Sequence, residues 1–166
     1  MSSGIALHQT GCVMGHHARR LIVPYAAEEM YNLVADVERY PDFLDGWRAV
    51  RVLATDGDTR TVEQVLGFGP LKWRFRSYAS GDPPRRLVIQ TSEAPFRQLR
   101  IDWQLCDRAA GGAEVVFDAT CELRSARIDR LASRLLEASF GHTVDAFERR
   151  ARHLYGARPG WPGGPA

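Results

Sequence analysis

Residues 125–155 form an uninterrupted pattern that only a long helix satisfies. Read at 3.6 residues per turn, Ile128, Leu131, Ala132, Leu135, Leu136, Ser139, Phe140, Thr143, Val144, Phe147, Ala151 and Leu154 fall on one broad face. Arg130, Arg134, Glu137, Asp145, Arg149 and Arg152 fall on the other. No proline breaks the run, Ser125 is placed to cap its start, and Gly156 follows its last periodic residue. At about 1.5 Å per residue the helix is on the order of 40 Å long. An apolar face of that length needs a large partner, and the β-rich middle of the chain is the candidate. Within the face, Ala132, Ser139, Thr143 and Ala146 make a small stripe flanked by Leu135, Leu136, Phe140 and Phe147. Such a stripe permits either close packing on a sheet or a space for a ligand.

The middle supplies the sheet. A first strand is expected over about 17–23, ended by Pro24, and a short helix over 26–36 with Met30, Leu33 and Val34 on one side. A second brief turn over 37–44 contains Tyr40-Pro41, where the residue before proline is pushed out of α geometry. Strand signals then follow in close order. Val50, Val52 and Leu53 belong to one strand, with Asp56-Gly57-Asp58 as its turn. Alternation then marks Val62, Gln64, Leu66 and Phe68; Leu71, Trp73, Phe75 and Ser77; Leu87, Ile89 and Thr91; Leu99, Ile101, Trp103 and Leu105; and finally Val115, Phe117, Ala119, Cys121 and Leu123. Short connections favour an antiparallel meander. The expected fold is therefore α+β, a curved antiparallel sheet of about seven strands closed on one long C-terminal helix. At 166 residues the chain suits a single domain over 16–156, with a flexible arm over 1–15 and a disordered Pro/Gly-rich tail over 157–166.

The same alternation sorts the chemistry. Inward positions are mostly apolar, and their polar members Gln64, Ser77 and Thr91 are neutral, whereas Arg74, Arg76, Asp102, Asp118 and Glu122 point outward. His142 lies at the edge of the helix's apolar face, as a hydrogen-bonded rim histidine or a contact for a ligand's polar head. No carboxylate is placed by spacing to orient it. An apolar pocket with a few neutral hydrogen-bonding groups suits a carbonyl-bearing lipophile better than acid–base catalysis. His16-His17 lacks a third ligand in the sequence, and Cys12, Cys106 and Cys121 show no C-x-x-C spacing, so neither a metal site nor a disulfide framework is expected. A net charge of +2 does not by itself imply a nucleic-acid partner, although arginines concentrate along the last helix. No apolar run reaches the ~18–20 residues of a membrane span. A cytoplasmic protein, able to lie at the inner membrane surface, is expected.

Two stretches carry a resemblance. Pro24-Tyr25-Ala26-Ala27-Glu28-Glu29-Met30 and Leu33-Val34-Ala35-Asp36-Val37-Glu38-Arg39-Tyr40-Pro41-Asp42-Phe43-Leu44 resemble the coenzyme Q-binding START-like family, grouped with the polyketide cyclase/dehydrase superfamily and the ribosome-association toxin family. Gly67-Phe68, Ala94-Pro95-Phe96, Trp103, the Phe117 strand and Ala146-Phe147-Glu148-Arg149-Arg150-Ala151 look similar to the same pattern. The resemblance implies a helix-grip fold with a hydrophobic tunnel. It also implies a non-catalytic carrier of a polyprenyl quinone such as ubiquinone, or a similar lipid, with no resident cofactor. On that reading Phe43, Trp47, Phe68, Trp73, Phe75, Trp103, Phe117, Leu136 and Phe140 line the tunnel, while Gln64, Ser77 or His142 meet the polar head. A polyketide aromatase/cyclase-type enzyme and a ribosome-association inhibitor are the alternatives, with the ribosome or a membrane surface as the macromolecular partner. One departure stands out. Family members commonly continue Phe-Leu-Pro-Trp-Cys, whereas Phe43-Leu44 is followed by Asp45-Gly46-Trp47-Arg48, which reads as a more flexible corner.

Overall fold

The computed structural model describes residues 14–124 and 130–161. Seven strands form one antiparallel sheet: β1 (Met14–Val23), β2 (Trp47–Asp56), β3 (Thr59–Phe68), β4 (Leu71–Asp82), β5 (Arg86–Thr91), β6 (Phe96–Asp107) and β7 (Ala113–Leu123). Their spatial order is β1-β7-β6-β5-β4-β3-β2, so β2 to β7 make a meander and β1 closes beside β7. Between β1 and β2 lie α1 (Ala27–Ala35) and a 3-10 turn over Val37–Asp42; the last of the described elements is α2 (Arg130–Tyr155). The α+β architecture matches the expectation, and Ser125 and Ile128 lie outside the described residues.

Alternation positions the core. Along β7 every second residue from Ala113 to Leu123 is buried, and Trp103, Leu105, Ile101 and Leu99 of β6 stand opposite Phe117, Val115, Ala119 and Cys121. From α2, Leu136, Phe140, Val144, Phe147 and Ala151 are buried at helical spacing. Phe147 meets Trp103 at 4.8 Å and Phe43 at 5.0 Å, both edge-on, so one ring joins helix, sheet and the corner after α1.

Irregularities appear where alternation alone misleads. A bulge between Phe96 and Gln98 turns Phe96 inward, where its ring meets Phe75 at 5.0 Å. Two bulges in β2 leave Val50 and Val52 half-buried and Leu53 41% exposed. Asp102 is on the outer face as expected, yet it is buried, because Arg86 donates to it from Nε at 2.9 Å and again from Nη2, and Arg100 lies 3.4 Å away. Ala157 to Trp161, expected as the start of a loose tail, lie against the domain. Arg158 reaches Glu29 at 3.0 Å and covers the Tyr25 ring, whose hydroxyl donates to Gly156 O at 2.8 Å. The expected arm likewise overlaps β1, which begins at Met14.

Two outcomes follow from this packing. Phe147→Ala removes the ring shared by helix, sheet and corner, and should lower the unfolding free energy by about 3–5 kcal/mol in urea titration. The Arg86 guanidinium holds the Asp102 carboxyl below the usual carboxylate range. A depressed folded pKa stabilises above the unfolded value of ~3.9 and is lost as pH falls through the folded one. The stability gap between wild type and Asp102→Asn should therefore be constant above about pH 5 and close progressively in more acidic buffer.

Candidate ligand-binding site

A cleft of about 270 Å3 lies between α2 and the corner that follows the 3-10 turn. Its walls are Phe43, Leu44 and Asp45 from the corner and Phe68 from the end of β3; its floor is Leu135, Ala138, Ser139, His142, Thr143, Ala146 and Arg149 of α2. Spacings of three and four put the floor residues on one side of the helix. The small side chains of Ala138, Ser139, Thr143 and Ala146 keep the helix surface low beside the corner's rings. The hydroxyls turn away from a ligand role: Ser139 Oγ donates to Asp45 O at 3.0 Å, and Thr143 Oγ1 donates to Ser139 O at 2.9 Å. His142 and Arg149, both exposed, supply the polar part of the rim.

The corner's shape depends on Gly46. Its φ is +91°, and a Cβ there would lie 2.5 Å from Cζ of Phe68. The glycine is thus required twice, by its backbone and by the ring that crosses it. Phe43 is held in turn by Phe147, by Tyr40 at 6.1 Å, and by the Arg150 guanidinium 5.4 Å from its ring centre. The reading of this segment as a flexible corner is corrected: close packing, not looseness, explains the glycine.

The twelve residues proposed from the sequence do not share one space. Phe43, Phe68 and His142 line the cleft, and Trp73 stands beside it, half-buried, with its ring 6.5 Å from Phe68. Phe75, Trp103 and Phe117 are packed in the core against Phe96, Phe147 and one another. Trp47, Gln64 and Ser77 satisfy each other: Trp47 Nε1 donates to Gln64 Oε1 at 2.9 Å, and Gln64 Nε2 donates to Ser77 Oγ at 2.6 Å. Leu136 and Phe140 face His17, Cys121 and Leu123. Among the described residues these rings pack against one another, and the cleft described above lies to one side of them, at the corner. Leu44, Asp45, Leu135, Ala138, Ser139, Thr143, Ala146 and Arg149 were not among the expected site residues; the small stripe at Ser139, Thr143 and Ala146 was the signal that pointed to them.

Among the described residues no side-chain hydrogen bond orients His142. Burial pushes the Cys121 thiol up to about 12, so it stays protonated and is not a nucleophile at neutral pH. His16 lies 3.0 Å from Asp118 and His17 stacks on Phe140, each engaged on its own side of β1.

Comparison with known proteins agrees with the fold. The sequence profile described as "Polyketide cyclase / dehydrase and lipid transport" matches residues 23–148. Ribosome association toxin RatA of Pseudomonas aeruginosa is 28% identical over 141 residues, which span 85% of this chain and 98% of that protein. Coenzyme Q-binding protein COQ10 homolog B, mitochondrial, of Xenopus laevis is 26% identical over 139 residues, 81% of this chain and 57% of the relative. Among solved structures, the Zhui aromatase/cyclase from Streptomyces sp. R1128 superposes with a TM-score of 0.71 at 20% identity, covering 92% of this chain and 99% of that one. A START superfamily protein from Mycobacterium smegmatis gives 0.69 at 16% identity, with 87% and 99% covered. The curved sheet holding a C-terminal helix is thus the START-like, helix-grip arrangement.

Gly46→Ala tests the corner. Forcing a side chain to positive φ beneath the Phe68 ring should cost about 1–3 kcal/mol in chemical denaturation. It should also shift the Phe68 and Phe43 ring resonances in NMR spectra of the folded protein.

Proposed function

Because the chain belongs to the polyketide cyclase / dehydrase and lipid transport family, we propose that it is a non-catalytic carrier holding a polyprenyl quinone or a similar lipid in the α2–corner cleft. One observation carries this reading: the small floor residues Ala138, Ser139, Thr143 and Ala146 face the apolar walls Phe43, Leu44 and Phe68, while the ionisable groups Asp45, His142 and Arg149 are exposed. A ligand with a planar carbonyl head and an apolar tail fits that distribution. The imidazole of His142 or the guanidinium of Arg149 donates to a quinone carbonyl, and the head ring lies between Phe43, Phe68 and the helix. At about 270 Å3 the cleft falls just below the range of drug-sized ligand pockets, which starts at about 300 Å3. It takes a head ring and the first part of a tail; the remainder lies along the surface. Burying ~150 Å2 of apolar ligand surface at ~25 cal/mol per Å2 supplies about 4 kcal/mol. The relative named as a coenzyme Q-binding protein supports the quinone class.

A second reading is favoured by a separate observation. The RatA relative is matched over nearly its whole length, and Arg134, Arg149 and Arg152 of α2 are exposed. Docking of this helix on the ribosome would appear as co-sedimentation that falls steeply with salt. The aromatase/cyclase reading rests on likeness of fold, since Arg74, Arg76 and Asp118, the groups it would need around a cavity, lie on the outer face.

Lipid extracted from purified protein and identified by mass spectrometry should contain quinone or another isoprenoid lipid. A short-chain quinone should titrate the folded protein with saturable quenching of tryptophan fluorescence. Ala138→Leu, at an exposed floor position, should weaken that binding tenfold or more while leaving the unfolding midpoint nearly unchanged. No bound lipid and no saturable quinone binding would remove the carrier reading.

A further inference from the structure

The β3–β4 hairpin combines three features on one end of the molecule. First, it overhangs the sheet. β3 pairs with β4 from Phe68↔Leu71 to Thr59↔Ser80, but β5 pairs with β4 only from Tyr78 to Asp82. Thr91 and Glu93 close the ladder at Arg76, through its carbonyl and its N–H. The segment from Phe68 to Phe75 therefore extends past β5. Second, the inner side of the overhang is apolar and partly open: Phe68, Leu71 and Trp73 are half-buried, and Pro70 at the tip is exposed. Third, its outer side is cationic. Arg48, Arg51, Lys72, Arg74 and Arg76 are all exposed there, with Arg48 lying over Gly67. The acidic groups among them are Glu63, shared by Arg74 at 3.2 Å and Arg51 at 3.8 Å, and Glu93. Five cations against two carboxylates leave a net positive face.

We propose that this hairpin docks the protein on an anionic lipid bilayer, its cations against headgroup phosphates and its Phe68–Trp73 tip at the headgroup–acyl boundary. The inference rests on the carrier reading, because Phe68 belongs both to the tip and to the cleft wall. Docked in this way, the cleft opens toward the bilayer that would supply or receive its lipid. Apolar and aromatic side chains bordered by cations match the bilayer interface, where aromatic rings sit at headgroup depth and long basic side chains reach outward to phosphate. RNA is the other polyanion such a face could meet. It would call for aromatic rings among the cations for base stacking, and the outer face of β4 offers Tyr78 alone, 47% exposed and further along the strand.

Lys72 is the only lysine in the chain, which gives the test a site-specific reporter. Full-length protein is sedimented with phosphatidylcholine vesicles and with phosphatidylcholine vesicles carrying phosphatidylglycerol. In parallel, acetylation of Lys72 by an amine-reactive ester is followed by peptide mass spectrometry. Binding should require the anionic lipid, weaken as salt is raised, and slow Lys72 acetylation. Lys72→Gln with Arg74→Gln should weaken partitioning tenfold or more. Leu71→Ser should weaken it at unchanged charge, and Arg85→Gln, at the opposite end of β4, should leave it unaltered. Circular dichroism confirms that each variant is folded. The proposal falls if anionic vesicles do not bind, if Arg85→Gln loses as much as the hairpin variants, or if the hairpin variants instead lose binding to a ribosomal RNA fragment that wild type prefers over vesicles. Quinone titration in vesicle-free buffer separates the two readings: saturable quinone binding without vesicle binding removes the docking surface alone, and vesicle binding without quinone binding removes the carrier.

Discussion

The position of Phe147 governs most of what this protein is. Its ring is edge-on to Trp103 of the sheet, to Tyr40 at 5.4 Å and to Phe43 of the corner, so a single α2 residue sets the spacing of three elements. Close-packed interiors have discrete arrangements, and a large ring at a three-way junction leaves little room for sliding. Where the ring is, the helix sits firmly on the sheet. On the row beside it small residues take over, the corner cannot follow the helix surface inward, and the cleft opens. The cleft floor and the core residues are thus neighbouring rows of one helix, Ser139, Thr143 and Ala146 running beside Phe140, Val144 and Phe147.

The polar groups obey the same economy. A buried amide or indole N–H must find a partner, and Trp47, Gln64 and Ser77 find one another across β2, β3 and β4. That chain holds the meander's outer strands together at the point where the core gives way to the cleft. On the outer face, Asp102 is the corresponding anchor, and its two flanking guanidiniums make an otherwise expensive buried carboxylate tolerable. The charged groups that line the cleft, Asp45 and Arg149, are exposed, and further cations lie on the hairpin beside it.

Residue patterns made much of this legible in advance. The strands of the meander, the inward rows and the long helix all follow from periods of 2 and 3.6, which local sterics impose on any chain. The stripe at Ser139, Thr143 and Ala146 already marked where the helix surface is low. Other features have no periodic signature. Phe96 enters the core through a bulge that shifts its strand by one residue, and Asp102 is buried by side chains from neighbouring strands. Gly46 is demanded by a ring 22 residues later in the chain.

What the sequence by itself determined is which residues can face inward, because alternation and helical spacing are properties of neighbours along the chain. What only the tertiary structure decided is how inward-facing rings share the space. Phe75, Trp103 and Phe117 are as apolar as Phe43 and Phe68, and periodicity cannot tell a ring that fills the core from one that borders a cleft. That difference depends on whether another ring arrives from across the fold to meet it, as Phe147 meets Trp103. Only the packed helix, sheet and corner together hold that information.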